Sequence, residues 1–356
     1  MKFETLTLPA PLSKALQSMN FIEATPIQAQ AIPPALEGRD LIGCAQTGTG
    51  KTGAFGIPLV LKLMQDPDAT ALILLPTREL AAQVCTVLQQ LTQFLPSLTT
   101  IALTGGTSLI PQINQLFRQR YRIFVATPGR LIDHLRRGSV SLAKTRMLVL
   151  DEADRMLDMG FAPQLETIMM RVPAQGRQSL LFSATLPDQI QKMASQFLTN
   201  PIFIQVGTAS LAAPKIEQSI IEVSMREKND RLLDEVNARE GTMLVFTRTK
   251  RRTEQVARYL SSYGVSVAQI HGDRTQGQRN KALAGFREER YRVLVATDVA
   301  ARGLDVDHIA HVINFDLPMS PEDYVHRIGR TGRNGREGKA VSFITPDDYE
   351  MWDAIQ

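Results

Sequence analysis

"DLIGCAQTGTGKT", residues 40–52, runs from an apolar stretch into a turn carrying Gly48 and Gly50, and then into Lys51 and Thr52. The apolar part reads as a short buried strand and the lysine as the opening of a helix. Two glycines between them let backbone N–H groups close around an anion, which suits phosphate oxygens. From Gly50 onward the stretch fits the phosphate-loop pattern, although Ala45 stands where the strict form has its first glycine. The chemistry survives that change: Lys51 is expected to reach the β and γ phosphates, and the Thr52 hydroxyl to ligate Mg²⁺. A purely structural glycine turn is the alternative reading.

Further short runs rich in Leu, Val and Ile lie on either side: ALILLP (71–76), RIFVAT (122–127), RMLVLDE (146–152) and SLLFSAT (179–185). Each is followed by a longer helical pattern, as expected for buried parallel strands joined by helices. The second half repeats the scheme with TMLVFT (242–247), SVAQIH (266–271), RVLVAT (292–297) and HVINFD (311–316). Between the halves, VGTASLAAPKIEQ (206–218) lacks a strand pattern and reads as a connection. The expectation is two tandem α/β domains, residues 1–206 and 218–356, joined by a linker at 207–217. One large sheet with a surface loop there is the alternative.

At 356 residues with 44% hydrophobic content, the chain can fill two cores. Its net charge is +4, with 21 Lys+Arg against 21 Asp+Glu in residues 218–356 and 19 against 15 before them, so any polyanion site must be local. No stretch approaches the roughly 20 apolar residues of a membrane span, and the N-terminal MKFETLTLPA lacks the features of a secretion signal. A cytoplasmic protein without membrane contact is expected. Only Cys44 and Cys85 are present, which argues against a disulfide framework or zinc site.

In MLVLDEAD (147–154), three carboxylates in four positions follow an apolar strand. Clustered carboxylates at the C-terminal edge of a parallel strand repel one another unless a cation sits there, and open α/β sheets bind ligands at that edge. Asp151 is the natural Mg²⁺ partner of the Thr52 hydroxyl, and Glu152 is placed to orient and deprotonate a water. Taken alone, the acids could simply cap the next helix.

AQTGTGKT (45–52) together with DEAD (151–154) closely resembles the DEAD-box RNA helicases of superfamily 2, most of all bacterial members of the RhlE type. The likeness runs nearly end to end through PTRELAAQ (76–83), TGG (104–106), TPGR (127–130), SAT (183–185), VFT (245–247), HGDRTQGQR (271–279), ATDVAARGLD (296–305) and HRIGRTGR (326–333). The resemblance implies two RecA-like domains that close over ATP and RNA. It implies nucleotide contacts from Ala45, Gln46, Thr47, Gly48, Thr49, Gly50, Lys51 and Thr52, with Asp305 on the ribose. Arg330 and Arg333 would come from the second domain to the γ-phosphate, a role that suits a permanently charged fork. Ser183 and Thr185 would couple Asp154 and His326 to closure. Arg78, Gly106, Thr127 and Arg130, with Arg279 and Thr297, match positions that hold the RNA backbone, so little sequence preference is expected.

FIEATPIQAQ (21–30) supplies the base reader. A glutamine amide can accept from adenine N6 and donate to N7, a pairing guanine cannot satisfy. Gln28 matches the family's adenine reader, Thr25 lies in the same motif, and Phe3 matches an aromatic that stacks on the base. Two departures stand beside it: Asn20 where a glycine is usual, and Ala24 where a proline is common. Loss of the proline is expected to leave the loop less pre-organised. Trp352 is expected to pack on the second domain. The resulting expectation is a monomeric ATP- and Mg²⁺-dependent enzyme that locally unwinds short RNA duplexes. The alternatives are an ATP-gated RNA clamp or assembly platform with little unwinding, and a DNA translocase.

Overall fold

The computed structural model describes residues 1–45, 48–206, 216–301, 306, 308–332 and 337–356, the side chains at 276, 299 and 322 apart. The chain divides into two compact units, Met1–Gly207 and Thr208–Gln356. The first is built on β1 (Leu41–Cys44), β2 (Thr70–Leu74), β3 (Thr100–Leu103), β4 (Ile123–Ala126), β5 (Thr145–Leu150), β6 (Gln178–Ser183) and β7 (Ile202–Gln205). They pair in the order β3-β4-β2-β5-β6-β1-β7, and every pairing is parallel.

The apolar runs lack polar alternation because both faces of the sheet are covered. In β2, Ala71 and Ile73 enter one core while Leu72 and Leu74 enter the other; in β5, Met147 and Val149 oppose Leu148 and Leu150 in the same way. Helices Pro26–Leu36 and Lys51–Gln65 pack within the first of these cores and Pro128–Arg136 within the second. A sheet clad on both sides leaves its C-terminal strand ends as the open edge.

The second unit repeats the scheme with β8 (Ile216–Glu222), β9 (Thr242–Phe246), β10 (Val267–Ile270), β11 (Val293–Ala296), β12 (Ile309–Asn314) and β13 (Gly338–Ile344). Their order is β10-β11-β9-β12-β13-β8, again parallel throughout. Met243 and Val245 of β9 face one core, Leu244 and Phe246 the other. Trp352 packs edge-on against Tyr324, ring centroids 5.8 Å apart, as expected for a structural aromatic.

Three strands escaped the sequence reading. β3 is flanked by threonines and β7 leaves Phe203 and Gln205 exposed, so neither reads as a bounded apolar run, while β8 is an edge strand whose side chains are mostly exposed. β8 begins at Ile216, so Ile216 and Glu217 pair with β13 and are not linker as expected. The rest of that expected linker, residues 207–215, lies outside the described residues. No helix among the described residues is long and apolar enough to cross a membrane.

Candidate functional site

Strand order sorts the candidate residues of the first unit into two groups along one sheet edge. β5, β6 and β1 are neighbours, and they end in Asp151–Asp154, Ser183–Thr185 and the glycine turn. β3, β4 and β2 are also neighbours, and they end in Gly105–Gly106, Thr127–Arg130 and Thr77–Arg78.

In the first group, Gly48 and Gly50 have φ of +82° and +90°, a left-handed turn that only glycine adopts freely. Lys51 opens the following helix and is buried; its Nζ donates to the Ala45 carbonyl at 3.2 Å and lies 3.8 Å from Asp151 Oδ1. Ala45 itself is held by its N–H donating to the Ser183 carbonyl at 3.0 Å, so the alanine is compatible with a tight loop. Thr49 and Thr52 are half-buried, while Gln46 and Thr47 lie outside the described residues.

Burial pushes the Asp151 carboxyl up to about 6 against the opposing pull of Lys51. A buried carboxylate that one lysine does not fully stabilise suits a divalent cation, and Thr52 adds a neutral oxygen nearby in the chain; such a pair fits Mg²⁺, which takes few protein ligands and keeps water. Glu152 is 4% exposed and has φ +55°, a strained value for a glutamate. Its Oε2 accepts from Arg155 Nη1 at 2.6 Å, one helical turn on. That partner went unnoticed in the sequence, although the i, i+3 spacing was there to read.

Asp154 draws the neighbouring strand end onto the first. Its Oδ2 accepts from Ala184 N–H (3.0 Å), Thr185 N–H (2.9 Å) and Thr185 Oγ1 (3.0 Å), and its own N–H donates to Ser183 Oγ at 3.3 Å. The structure thus joins Asp154, Ser183 and Thr185 in one network.

Gln28 is 3% exposed and its amide is already oriented. Oε1 accepts from Thr25 N–H at 2.9 Å, and Nε2 donates to the Gly50 carbonyl at 3.0 Å. A Cβ on Gly50 or Gly53 would come within 2.7 or 2.6 Å of Nε2, so both glycines make room for the amide. One N–H and one lone pair remain for a base, and the Thr25 hydroxyl, which forms a capping box with Gln28 at the start of the helix Pro26–Leu36, lies beside Gly50. A half-used amide at the lip of a phosphate turn fits a nucleotide.

Phe3 is 4% exposed and packs at 5.6 Å against Phe21, so its ring sits in the core rather than offering a free face. Asn20 has φ +55°, which explains why glycine is usual there and why asparagine serves. Ala24 donates its N–H to the Met1 carbonyl at 2.8 Å. A proline could not make that bond. With Phe3 N–H donating to Ile22 O at 3.1 Å, it fixes the segment that lack of proline was expected to loosen.

The second group forms a collar around the loop at 104–107. A Cβ on Gly106, where φ is +83°, would overlap the Arg78 guanidinium. Arg130 is one-tenth exposed and donates from Nη2 to the Thr107 carbonyl at 2.8 Å, while Nη1 is buried with no partner. Thr127 is 8% exposed and immediately precedes the helix Pro128–Arg136. In the second unit, Thr297 follows β11, and Arg279 lies in the helix Gln276–Arg287 with Nη2 donating to the Ala300 carbonyl at 3.5 Å. Arg330 is 4% exposed and His326 half-buried. Arg327, not singled out in the sequence, is buried in a bidentate pair with Asp298 at 2.5 and 2.7 Å. Asp305 and Arg333 lie outside the described residues.

Comparisons with known proteins agree with this arrangement. Residues 25–193 match the family described as DEAD/DEAH box helicase, and residues 227–335 match the helicase conserved C-terminal domain. The chain is 46% identical over 356 residues to the DEAD-box ATP-dependent RNA helicase CshA of Bacillus licheniformis, covering 99% of this chain and 72% of that one. It is 48% identical over 349 residues to the ATP-dependent RNA helicase CshA of Listeria monocytogenes, covering 97% and 66%. Among solved structures it is similar to S. cerevisiae Dbp5 bound to RNA and ADP BeF3, at 32% identity and TM-score 0.86, covering 100% of this chain and 92% of that one. It is likewise similar to Mss116p bound to ssRNA and AMP-PNP, at 32% identity and TM-score 0.87, covering 99% and 77%.

Proposed function

This chain belongs to the DEAD-box ATP-dependent RNA helicase family, and we propose that it binds ATP on its first unit and RNA on both, opening short duplexes locally. The observation that carries the reading is the Lys51–Asp151 pair, 3.8 Å apart beside a left-handed glycine turn, on the same sheet edge as the Gly106 and Arg130 collar. The two units are RecA-like domains, with residues 207–217 taken as the linker apart from the β8 residues Ile216 and Glu217.

In this reading Gln28 uses its remaining N–H and lone pair on adenine, and Lys51 and the backbone of Gly48–Thr52 hold the phosphates. Mg²⁺, held by Asp151 and through Thr52, would supply charge neutralisation at the β and γ oxygens. Glu152 orients the attacking water and accepts its proton; the Arg155 guanidinium at 2.6 Å fixes its direction. Arg330 and Arg333 add the cationic groups, and Asp305 the ribose contact. The network of Asp154 with Ser183 and Thr185 ties the catalytic strand ends together. Arg78, Gly106, Thr127, Arg130, Arg279 and Thr297 hold phosphates and sugars without reading bases. We assign the chain to the RhlE type within the family on its motif pattern, and to the cytoplasm as a monomer.

Strand displacement of a short RNA duplex tests this directly. ATP-dependent opening is expected in the parent and about 10²- to 10⁴-fold less in Glu152→Gln. Displacement unchanged in Glu152→Gln removes that residue from the role, and a DNA duplex opened equally well removes RNA as the substrate.

A further inference from the structure

Behind the 104–107 loop lies a polar network that no motif covers. Gln112, in the helix Leu109–Arg118, donates from Nε2 to the Thr104 carbonyl at 3.0 Å and to Thr107 Oγ1 at 3.4 Å. Its Oε1 lies 3.0 Å from Nε2 of His134, which is fully buried in the helix Pro128–Arg136. The other imidazole nitrogen, Nδ1, lies 2.8 Å from Ser139 Oγ.

The proton positions follow from these contacts. Gln112 Oε1 can only accept, so His134 Nε2 carries the hydrogen. The Ser139 hydroxyl has one proton, and its shorter contact, 2.8 Å to Nδ1 against 3.2 Å to the His134 carbonyl, takes it. Burial, with the charge of Arg130 adding to it, holds this imidazole below its ordinary value and therefore neutral. Ser139 is delivered to the ring by the end of the helix. Gly138 has φ +67°, and Ser139 N–H folds back onto the His134 carbonyl at 3.1 Å. A directed chain thus runs from Ser139 through His134 and Gln112 to Thr104 and Thr107, and Arg130 meets the same loop at the Thr107 carbonyl.

We propose that Gln112 and His134 are positioning residues for the RNA backbone, setting the height and orientation of the Thr104–Thr107 loop against Arg130 and Arg78. The inference rests on the assignment of Gly106, Arg78 and Arg130 to RNA. It adds that the geometry of these groups is imposed from behind by side chains that touch no ligand. Gln112 ties the two ends of this loop to the Arg130-bearing helix through one side chain.

The test is the RNA-stimulated ATPase of the full chain, with single-stranded oligouridine varied at saturating ATP and ATP varied at saturating RNA. Gln112→Met keeps the shape and removes the bonds; His134→Leu does the same from the other side, and His134→Gln restores an N–H near Nε2. Half-saturating RNA is expected to rise about 3- to 10-fold in Gln112→Met and His134→Leu, to recover at least partly in His134→Gln, and to be non-additive in the double variant. Half-saturating ATP is expected to stay within about twofold, a split that general loosening of the fold does not produce. Because His134 is buried, a lowered thermal midpoint in His134→Leu leaves the decision to Gln112→Met. RNA and ATP constants rising together, or an unchanged RNA constant in Gln112→Met, overturns the inference alone. A parent ATPase that RNA does not stimulate overturns the RNA assignment and the inference with it.

Discussion

Gln28→Glu changes one atom at a place where the structure defines its consequence. The retained oxygen still accepts from Thr25 N–H, but the atom replacing Nε2 faces the Gly50 carbonyl at 3.0 Å, where a donor stood. Ionised, the new carboxylate oxygen is buried against a second acceptor without a donor of its own, while the Gly50 carbonyl keeps the N–H groups of Gly53 and Ala54 at 3.1 and 3.2 Å. A buried acceptor left unpaired costs about 1–3 kcal/mol, and about 2 kcal/mol corresponds to a carboxyl held about 1.5 units above the ordinary glutamate value. Protonated, the same group donates its O–H to Gly50 and restores the parent pattern. The sign follows: with the folded pKa raised, the variant matches the parent best at low pH and loses stability as pH rises through the raised value.

The expected outcome is a first-unit thermal midpoint about 4–8 °C below the parent at pH 8, with the gap narrowing at pH 5. ATP binding should also weaken, because the amide N–H that could donate to adenine N7 is gone, while the preference over GTP should persist, because an oxygen able to accept from N6 and to oppose guanine O6 remains. A variant as stable as the parent at pH 8, or a gap that widens on acidification, would refute the reasoning about the Gly50 contact. Unchanged ATP affinity would remove the Gln28 amide from contact with the base.

Two further outcomes follow from the same geometry. Gly106→Ala places a Cβ at φ +83° against the Arg78 guanidinium; about 1–2 kcal/mol of backbone strain is expected, with weaker RNA binding as Arg78 is displaced, and RNA titration with unchanged affinity would show that the contact is dispensable. His134, His271 and His311 are all held below the ordinary histidine value, mainly by burial. Their folded pKa values being depressed, stability falls as pH drops below about 6.5, where the unfolded chain takes up protons first; Asp151, pushed up to about 6, works in the opposite sense. His271 and His311 both belong to the second unit and Asp151 to the first, so calorimetry at pH 7.5 and 6.0 should give the lower second-unit midpoint at 6.0, and a higher second-unit midpoint there contradicts the burial effect.

Much of this protein is legible in its residues. Apolar runs without alternation already pointed to sheets covered on both faces, and a glycine turn ahead of Lys51 suggested a phosphate-sized anion site, because periodicity and backbone freedom are local properties. The carboxylates after β5 could be placed on a strand edge for the same reason. β3, β7 and the edge strand β8 gave no comparable signal: β3 is flanked by threonines, and β7 and β8 turn much of their length to solvent, so none forms a bounded apolar run.

What tertiary structure alone decided is adjacency. The order β3-β4-β2-β5-β6-β1-β7 divides the candidate residues of one edge into two groups, although the contributing segments alternate along the chain. The partners of Gln28, Glu152 and Gln112 belong to the same category. The opening stretch showed a loop able to bind phosphate; that Gly50 also yields its space and its carbonyl to an amide 22 residues earlier depends on packing the helices Pro26–Leu36 and Lys51–Gln65 together, which no local pattern encodes.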